Sequence, residues 1–467
     1  MIHDSLNNLR EEIQKHNQIE SLDYERFGVK RGLRNADGTG VMAGLTKVCA
    51  VEGYVLKDGE RIPQDGRLVY RGIDVRDIAD GCRAENRFGF EETVWLLLMG
   101  SLPTKRQLEN FQTMMSEGCA LPEGFVDDMI RKAPSPNIMN TLARSTLALY
   151  RYDENPDDTS LENVLRQCVQ LIAQLPVVMA HAYQSKRDYY DKQSRIIHPA
   201  ETSNSIAQTI LHSIRADGKV GEEEARLLDL CLLLHAEHGG GNNSTFATRV
   251  LTSSGTDTYS TIAAGIGSLK GPKHGGANIK VAQMLRQLRT AIPDPDNDGQ
   301  VLDALCKVLR RELGDGSGLI YGMGHAVYTL SDPRAKLIKQ NIQDFPRINE
   351  AEFAHDFALL QAIERLTPQA FKIARGEKKR VCANVDLYSG LAYRLLGIPE
   401  DLYTPLFTVA RTAGWSAHRI EELLTCGRII RPAYKNVSNP HHYHQIDRRE
   451  ENLPARDAAY IPAEERE

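Results

Sequence analysis

The chain has 467 residues, of which 41% are hydrophobic and 25% are charged, a balance typical of soluble globular proteins. Its 57 basic and 62 acidic residues give a formal net charge of -5, so no basic excess is available to neutralise a nucleic-acid backbone. The longest apolar run, residues 227–234, includes an aspartate and is far shorter than the roughly 18 residues that span a bilayer. These figures argue against a nucleic-acid partner and a membrane protein. At about 150 residues per domain they predict two or three domains or one two-lobed body.

Residues 1–20 are polar and lack the apolar core of a signal peptide, which argues against export. The eight cysteines are scattered along the chain, and none forms a C-x-x-C pair. We therefore expect a cytoplasmic protein whose cysteines are reduced and mostly buried.

The segment from Val48 to Tyr70 is rich in β-branched and aromatic residues and carries two Asp-Gly pairs, so it predicts one or two small hairpins. The rest of the chain is helical by its apolar spacing, and the predicted fold class is all-α with a minor N-terminal β hairpin region. Thr202 or Ser203 is the predicted cap of one helix, and residues 239–241, all glycine, the predicted end of another. The helical segments are FEETVWLLLMG, TKRQLENFQTMM, SLENVLRQCVQLIAQL, TSNSIAQTILHSI, GEEEARLLDLCLLLHAEH and TYSTIAAGIGSLKG.

The last of these segments, residues 258–271, is rich in Ala, Ser and Gly. This composition predicts a close helix–helix contact, either within the chain or between subunits. Residues 292–300 form a turn-rich break, and residues 375–380 form a solvated loop. The polar tail from Asn436 onward is predicted to be an arm.

No metal site is predicted. Residues 294–299 resemble the opening of an EF-hand loop, but the twelfth position is Leu305 and not the required glutamate. His235 and His238 share one helical face as half a zinc site would, yet no HExxH pattern or partner ligand accompanies them. The histidines within residues 441–444 lie in the polar tail and indicate a fortuitous tract.

Three glycine-rich segments each place a proton-handling side chain in apolar surroundings, where glycine lets a ligand approach the backbone closely. They are GPKHGGAN with His274, GMGHAVYTLSDPRA with His325 and Arg334, and ANVDLYSG with Asp386. Arg411 and Arg431 also lie in apolar contexts. Arginines of this kind clamp dicarboxylates, and two histidines with an aspartate move protons. The set suits carbon-acid chemistry on a polycarboxylate.

With LHAEHGGGNNSTF and the Arg-Pro pair at 431–432, these motifs resemble the citrate synthase family in order and in separation. The resemblance is dense from about residue 202 to residue 434 and weaker upstream. It implies that Asp386 removes a methyl proton from acetyl-CoA, that His274 donates a hydrogen bond to the thioester oxygen, and that His325 polarises and protonates the oxaloacetate carbonyl. The residues that it implies for binding the carboxylates of oxaloacetate and citrate are His238, Arg334, Arg411 and Arg431. Those that it implies for backbone contacts with the adenine of CoA are Ile320, Gly322, Met323 and Gly324.

The resemblance also implies a small domain, residues 279–388, that closes over a discontinuous large domain formed by residues 1–278 and 389–467. Closure would exclude water until the carbon–carbon bond has formed. The implied partners are the substrates oxaloacetate and acetyl-CoA, with no further cofactor. The implied assembly is a homodimer in which Arg431 reaches the active site of the neighbouring subunit.

One segment departs from the family pattern. Between His325 and the Asp-Pro-Arg triplet the chain reads AVYTLS, with no charge where many relatives carry a basic residue for the CoA phosphates. Partners for those phosphates therefore stay unassigned at this point.

Three alternatives remain open. A 2-methylcitrate synthase would use propionyl-CoA on the same framework, and one methylene changes binding by only about 1–3 kcal/mol. A non-catalytic helical scaffold or regulator of the same fold would be expected to have lost His274, His325 or Asp386, all of which are present. The citrate-cleaving lyases share the module but add nucleotide-binding domains, for which 467 residues leave little room.

Overall fold

The computed structural model describes residues 2–35, 38–57, 60–198, 205–425, 427–438, 443 and 445–446. The chain divides into two compact units, Met1–Met42 together with Ile430–Glu467, and Ala43–Ile429. The terminal unit contains helices α1 (Ile2–His16) and α2 (Ser21–Arg26). Most of the polar tail predicted from Asn436 onward, with its histidines, lies outside the described residues.

The larger unit is helical, which confirms the predicted fold class. Its described helices are α3 (Val75–Ala84), α4 (Phe90–Met99), α5 (Lys105–Glu117), α6 (Ile138–Leu149), α7 (Leu161–Tyr189), α8 (Ile206–Ile214), α9 (Glu222–His235), α10 (Asn243–Ser253), α11 (Thr258–Leu269), α12 (Ala277–Ala291), α13 (Asp298–Leu309), α14 (Pro333–Gln343), α15 (Ala351–Arg375), α16 (Val385–Leu395) and α17 (Tyr403–Thr425). Between α12 and α13 the break predicted at 292–300 spans residues 292–297, because α13 already begins at Asp298. The loop predicted at 375–380 begins at residue 376, because α15 ends at Arg375.

Two predicted helix boundaries were wrong. Ser205 caps α8, because its hydroxyl accepts from the Gln208 N–H and the Gln208 side chain accepts from the Ser205 N–H. Thr202 and Ser203 lie outside the described residues. Helix α9 ends at His235, ahead of the glycines at 239–241, because the His235 carbonyl accepts a hydrogen bond from Arg411 Nε at 2.7 Å.

The predicted hairpin is confirmed as a small antiparallel sheet of β1 (Cys49–Lys57), β2 (Glu60–Tyr70) and β3 (Ile73–Asp74). Cys49 pairs with Tyr70, and the register shifts between Glu52 and Tyr54. The buried end of β2 meets the helices there, since the Tyr70 hydroxyl donates to the Glu237 carbonyl at 3.0 Å. The sheet therefore lies beside the glycine-rich turn that follows α9.

Helix α17 forms the centre of the core and is almost wholly buried from Tyr403 to Glu422. The small residues of α11 permit a close approach, but within one chain: a Cβ at Gly265 would lie 2.9 Å from the Trp415 ring. The predicted close helix–helix contact is therefore confirmed within the chain, and a contact of α11 with a second subunit stays a prediction. A Cβ at Gly267 would meet nothing within 4 Å, so the face carrying Gly267 is open.

The seven cysteines that the structure describes are all free thiols, and all but Cys119 are buried. Among the helices of the described ranges, none is both long and apolar enough to cross a membrane. Within those same ranges, no three His, Cys, Asp or Glu side chains come together as metal ligands would.

Candidate active site

His274 lies in the tight turn between α11 and α12. The Gly275 N–H donates to the Leu269 carbonyl at 3.0 Å, and the His274 N–H donates to the Gly271 carbonyl at 2.9 Å. A Cβ at Gly275 would lie 3.0 Å from Thr404 Cγ2 and closer still to the Leu269 oxygen, so only glycine fits. The turn therefore fixes the backbone that carries His274.

The ring of His274 is held at Nε2, which lies 3.0 Å from Ser244 Oγ. The same hydroxyl accepts a hydrogen bond from the Trp415 indole N–H at 3.1 Å. Burial, and then the positive charge of Arg411, lower the pKa of His274 to about 4. At neutral pH His274 is therefore an uncharged imidazole, which has one N–H group to donate and one nitrogen that accepts.

The loop that carries His325 is tied to the segment that precedes α16. Gly324 donates its N–H to the Cys382 carbonyl at 2.8 Å, and Asn384 donates its N–H to the Gly322 carbonyl at 2.9 Å. The Asn384 side-chain amide also donates to the Gly324 carbonyl at 2.9 Å. Gly322 has a φ of 81°, and a Cβ there would lie 2.8 Å from the Leu387 side chain. These contacts hold His325 and Asp386 in a fixed relation.

The protonation of His325 follows from its backbone contacts. Its Nδ1 accepts from the N–H groups of Val327 at 3.1 Å and Tyr328 at 3.2 Å. A nitrogen that accepts carries no hydrogen, so the ring proton of neutral His325 is on Nε2. Its ring lies edge-on to that of His238, with 5.0 Å between centroids.

His238 is kept neutral by its surroundings. Burial, followed by the charges of Arg334 and its neighbours, lowers the pKa of His238 well below its usual value. Its Nε2 has no hydrogen-bond partner among the described residues. The preceding residue, Glu237, is buried and accepts from His418 Nε2 at 3.0 Å. Burial raises the pKa of Glu237, but the contact with His418, the charge of Arg411 and a backbone hydrogen bond together keep this pKa below its usual range.

The two buried arginines of the site, Arg334 and Arg411, differ in their partners. Arg334 donates from Nε and Nη2 to the two oxygens of Asp332, at 3.1 and 2.7 Å. Arg411 is 1% exposed, donates from Nε to the His235 carbonyl, and lies over the Phe407 ring. Its Nη1 has no hydrogen-bond partner among the described residues. A buried guanidinium with an unused donor is costly unless an anion meets it, so Arg411 fits a substrate carboxylate.

Asp386 is in the first turn of α16, which Asn384 caps by accepting from the Asp386 N–H at 3.0 Å. Burial raises the pKa of Asp386 to about 6, against the opposing charges of Arg334 and Arg411. A carboxylate with this pKa is ionised at neutral pH, yet it holds a proton more readily than an exposed aspartate. This is the property that a general base requires.

The structure brings together all but one of the predicted catalytic and substrate-binding residues, namely His238, His274, His325, Arg334, Asp386 and Arg411. The rings of His238 and His325 are in contact, the charges of Arg334 and Arg411 affect the pKa of His238 and of Asp386, and the charge of Arg411 affects the pKa of His274. Arg431 is exposed and belongs to the terminal unit, so its predicted role stays a prediction. The adenine contacts predicted at Ile320, Gly322, Met323 and Gly324 also stay predictions. Several of their backbone N–H and C=O groups already form hydrogen bonds within the chain.

Sequence reasoning assigned no role to Ser244, Asn384 or Tyr328, although all three are in motifs that it quoted. Asn384 had a detectable signal, because an asparagine before an apolar run is a common helix cap. Ser244 and Tyr328 had none, since the contact of Ser244 with His274 and that of Tyr328 with Arg67 depend on the fold.

Fold and site together define an enzyme that moves protons at carbon and binds an anionic substrate. A family model described as citrate synthase, C-terminal domain, matches residues 35–433. The chain is 32% identical over 415 residues to citrate synthase of Haloferax volcanii, covering 86% of this chain and 94% of that one. It is 31% identical over 384 residues to 2-methylcitrate synthase 1 of Corynebacterium glutamicum, covering 80% and 91%. The solved citrate synthase of Pyrobaculum aerophilum matches with a TM-score of 0.69 at 28% identity, covering 88% and 94%.

The protein therefore belongs to the citrate synthase family and is an acyltransferase. The resemblance seen in the sequence motifs is confirmed.

Proposed function

We propose that the protein condenses acetyl-CoA with oxaloacetate and water to give citrate and CoA. The observation that carries this proposal is the unused Nη1 of buried Arg411, beside a neutral His238 whose Nε2 also has no partner among the described residues. Together these donors form a site for a small anion with a carbonyl or hydroxyl group. The nearby groups Asp386, His274 and His325 supply the proton chemistry, and no cofactor is needed besides the two substrates.

The first step is enolisation. The Asp386 carboxylate takes a proton from the methyl group of acetyl-CoA, and neutral His274 donates a hydrogen bond to the thioester oxygen as negative charge develops there. The low pKa of His274 suits this role, because an uncharged donor stabilises the oxygen without protonating it fully beforehand.

Carbon–carbon bond formation follows. The enolate carbon attacks the ketone carbon of oxaloacetate, the ketone π bond breaks, and its oxygen takes the Nε2 proton of His325 to become the citrate hydroxyl. The methyl proton held by Asp386 restores the proton of His325 by the end of the cycle. Arg334, Arg411 and His238 hold the carboxylates. Water then cleaves the thioester of citryl-CoA, releasing citrate and CoA.

A thiol-release assay with oxaloacetate and either acetyl-CoA or propionyl-CoA tests this function. We expect a higher kcat/KM with acetyl-CoA, and no thiol release when oxaloacetate is omitted. A higher kcat/KM with propionyl-CoA would establish the alternative, a 2-methylcitrate synthase, which the similarity to the Corynebacterium glutamicum protein also supports. No release with either acyl-CoA would favour the non-catalytic alternative.

Replacing Arg411 by leucine is expected to raise the KM for oxaloacetate by about 30-fold or more, since losing a buried charged partner costs about 2–5 kcal/mol. The KM for acetyl-CoA should change by much less. Arg334→Leu should have the same selectivity but also lower the Tm, because it leaves Asp332 buried without its partner.

Steady-state kinetics in both substrates, with thermal unfolding, measure these effects. The matched control is Arg365→Leu, because Arg365 forms an exposed ion pair with Asp298 away from the site. Equal increases in both KM values for the Arg411 variant would show that this arginine does not bind oxaloacetate.

The exposed cations Lys378, Lys379 and Arg380 are our proposed partners for the CoA phosphates. They precede residues 382–384, which are hydrogen-bonded to the loop at 322–324. Bound CoA would therefore meet this basic segment next to the predicted adenine contacts. The segment compensates for the missing charge between His325 and Asp332.

Residues 279–388 are our proposed mobile small domain. Two exposed ion pairs join this domain to the rest of the chain. Arg286 pairs with Glu400, and Lys336 pairs with Asp65 on the hairpin at 3.2 Å. These two pairs are exposed and individually weak, so they would permit opening for substrate entry. Opening would also have to break the hydrogen bonds of Tyr328 and Ser331 to the hairpin.

A homodimer with shared sites is our proposed assembly. The terminal unit presents large apolar side chains to solvent, since Tyr434 is 94% and Met42 85% exposed. Arg431 belongs to the same unit and is also exposed. The family resemblance implies that Arg431 reaches the partner's site in such a dimer. A cytoplasmic location likewise stays a prediction.

A further inference from the structure

The ring of Tyr328 connects the catalytic histidines to the β1–β2 hairpin. It is 1% exposed and stacks on the His325 ring, with 4.7 Å between centroids and 24° between planes. Its edge meets the His238 ring at 5.6 Å. Its hydroxyl donates to the carbonyl of Arg67 on β2 at 3.2 Å. One side chain thus touches two site histidines and the hairpin.

The hairpin lies unusually close to the segment that follows His325. A Cβ at Gly53 would be 2.6 Å from the Val327 oxygen. A Cβ at Gly66 would be 2.8 Å from Tyr328 Cδ1 and closer still to the Ser331 oxygen. The chain therefore requires glycine at both positions, and any side chain there would push residues 327–331 away.

Polar contacts fix the other end of the same segment. The Gly66 N–H donates to Ser331 Oγ at 3.1 Å, and Ser331 Oγ donates to Asp65 at 2.6 Å. Ser331 directly precedes Asp332, the carboxylate that holds Arg334. The hairpin thus holds the segment from His325 to Arg334 at both ends.

The hydrogen bonds to Nδ1 of His325 come from the backbone of residues 327 and 328, so they fix the ring only as well as that backbone is fixed. Stacking on Tyr328 adds a second restraint, which sets the plane of the ring. We propose that the β1–β2 hairpin positions His325 through Tyr328, so that Nε2–H is aimed at the carbonyl of the bound substrate. This inference rests on the proposed function, which makes that carbonyl the ketone of oxaloacetate.

Tyr328 is therefore a positioning residue, and its test must separate aiming from packing. Tyr328→Phe keeps the stacked ring and removes the bond to the Arg67 carbonyl. Tyr328→Leu removes the stack as well. We expect a fall in kcat of about fivefold or less for the Phe variant, the scale of one neutral hydrogen bond. For the Leu variant we expect a fall of about 10²-fold, the scale of an ångström of misplacement. The KM for acetyl-CoA should stay within about twofold in both, as neither change touches that substrate.

The decisive readout is the ¹³C chemical shift of the C2 carbonyl of bound oxaloacetate, which reports the hydrogen bond from His325. Wild-type protein should move this shift downfield relative to free oxaloacetate. Tyr328→Leu should lose most of the displacement while oxaloacetate still binds, and Tyr328→Phe should lose a smaller part.

Gly66→Ala tests the hairpin itself, with Gly81→Ala as its matched control. A Cβ at Gly81, in α3, would meet nothing within 4 Å, so this variant should behave as wild type. Gly66→Ala should reproduce the reduced kcat and carbonyl displacement of Tyr328→Leu. Thermal unfolding of every variant shows how much of it is folded at the assay temperature.

A Tyr328→Leu protein with a lower Tm but an unchanged carbonyl displacement and kcat would overturn the inference, since the ring would then serve packing alone. If the Leu variant does not fold, an unchanged displacement in Tyr328→Phe and in Gly66→Ala would overturn it equally. Failure of wild-type protein to release thiol would overturn the proposed function, and this inference with it. Thiol release by wild-type protein without a displaced carbonyl shift would overturn this inference alone.

Discussion

Replacing Asp386 by asparagine is expected to lower kcat by about 10²–10⁴-fold, the usual contribution of a general base. Asparagine keeps the size of the side chain but cannot accept the methyl proton. Binding of oxaloacetate should be largely intact, because Asp386 acts on the other substrate. Thiol release measures kcat, and calorimetric titration measures the Kd for oxaloacetate.

The pH profile of wild-type protein supplies a second test of the same base. Because the pKa of Asp386 is raised to about 6, kcat/KM for acetyl-CoA should fall as the pH drops below about 6, where the carboxylate becomes protonated. A profile flat down to pH 5 would contradict this assignment, as would an Asp386→Asn protein with more than about a tenth of wild-type kcat.

Stability distinguishes loss of the base from loss of the fold. The folded protein holds the Asp386 proton more tightly than the unfolded chain, so its contribution to stability is lost as the pH rises through about 6. At pH 8 the buried ionised carboxylate is unfavourable, and Asp386→Asn should have a Tm equal to or above that of wild type. Asp303→Asn, which alters only an exposed ion pair with Lys307, is the matched control.

Mixing two inactive variants is expected to restore activity if sites are shared between subunits. Arg431→Leu and Asp386→Asn should each be nearly inactive alone. In a heterodimer one site carries both changes, and the other carries neither, because its Asp386 and its Arg431 come from different subunits. Each heterodimer should therefore approach half the activity of a wild-type dimer.

Native mass spectrometry confirms that subunits have exchanged before the activity is measured. Mixing Asp386→Asn with wild-type protein is the control for dilution by inactive subunits. If heterodimers form and activity does not return, Arg431 acts in the site of its own subunit or in none. That outcome would remove the shared-site assembly and leave the remaining site assignments unaffected.

The sequence alone determined the helices, the hairpin, the two interhelical breaks and the chemical inventory of the site. These features are local. A capped apolar repeat or an Asp-Gly turn depends on residues only a few positions apart, so the structure that it forms changes little with the rest of the chain. The glycines around His274 and His325 could be recognised in the sequence for the same reason, because each is needed for its own turn.

One boundary error arose where a distant group competed with a local rule, whereas the other, the cap of α8, was a local capping box at Ser205 that the prediction missed. Helix α9 ends early because its last carbonyl accepts from Arg411, 176 positions along the chain. The small residues of α11 serve a contact with Trp415 in the same chain, which no pattern within α11 could distinguish from a contact between subunits.

Only the tertiary structure decided how the site residues are protonated and aimed. The pKa of Asp386 depends on burial and on charges at Arg334 and Arg411, and the neutral state of His274 depends on burial and Arg411. Tyr328 reaches His325 locally, but its hydroxyl meets Arg67, 261 positions away. Proton affinity and ring orientation are set by every group packed around an atom. They therefore become defined only when folding brings distant parts of the chain together.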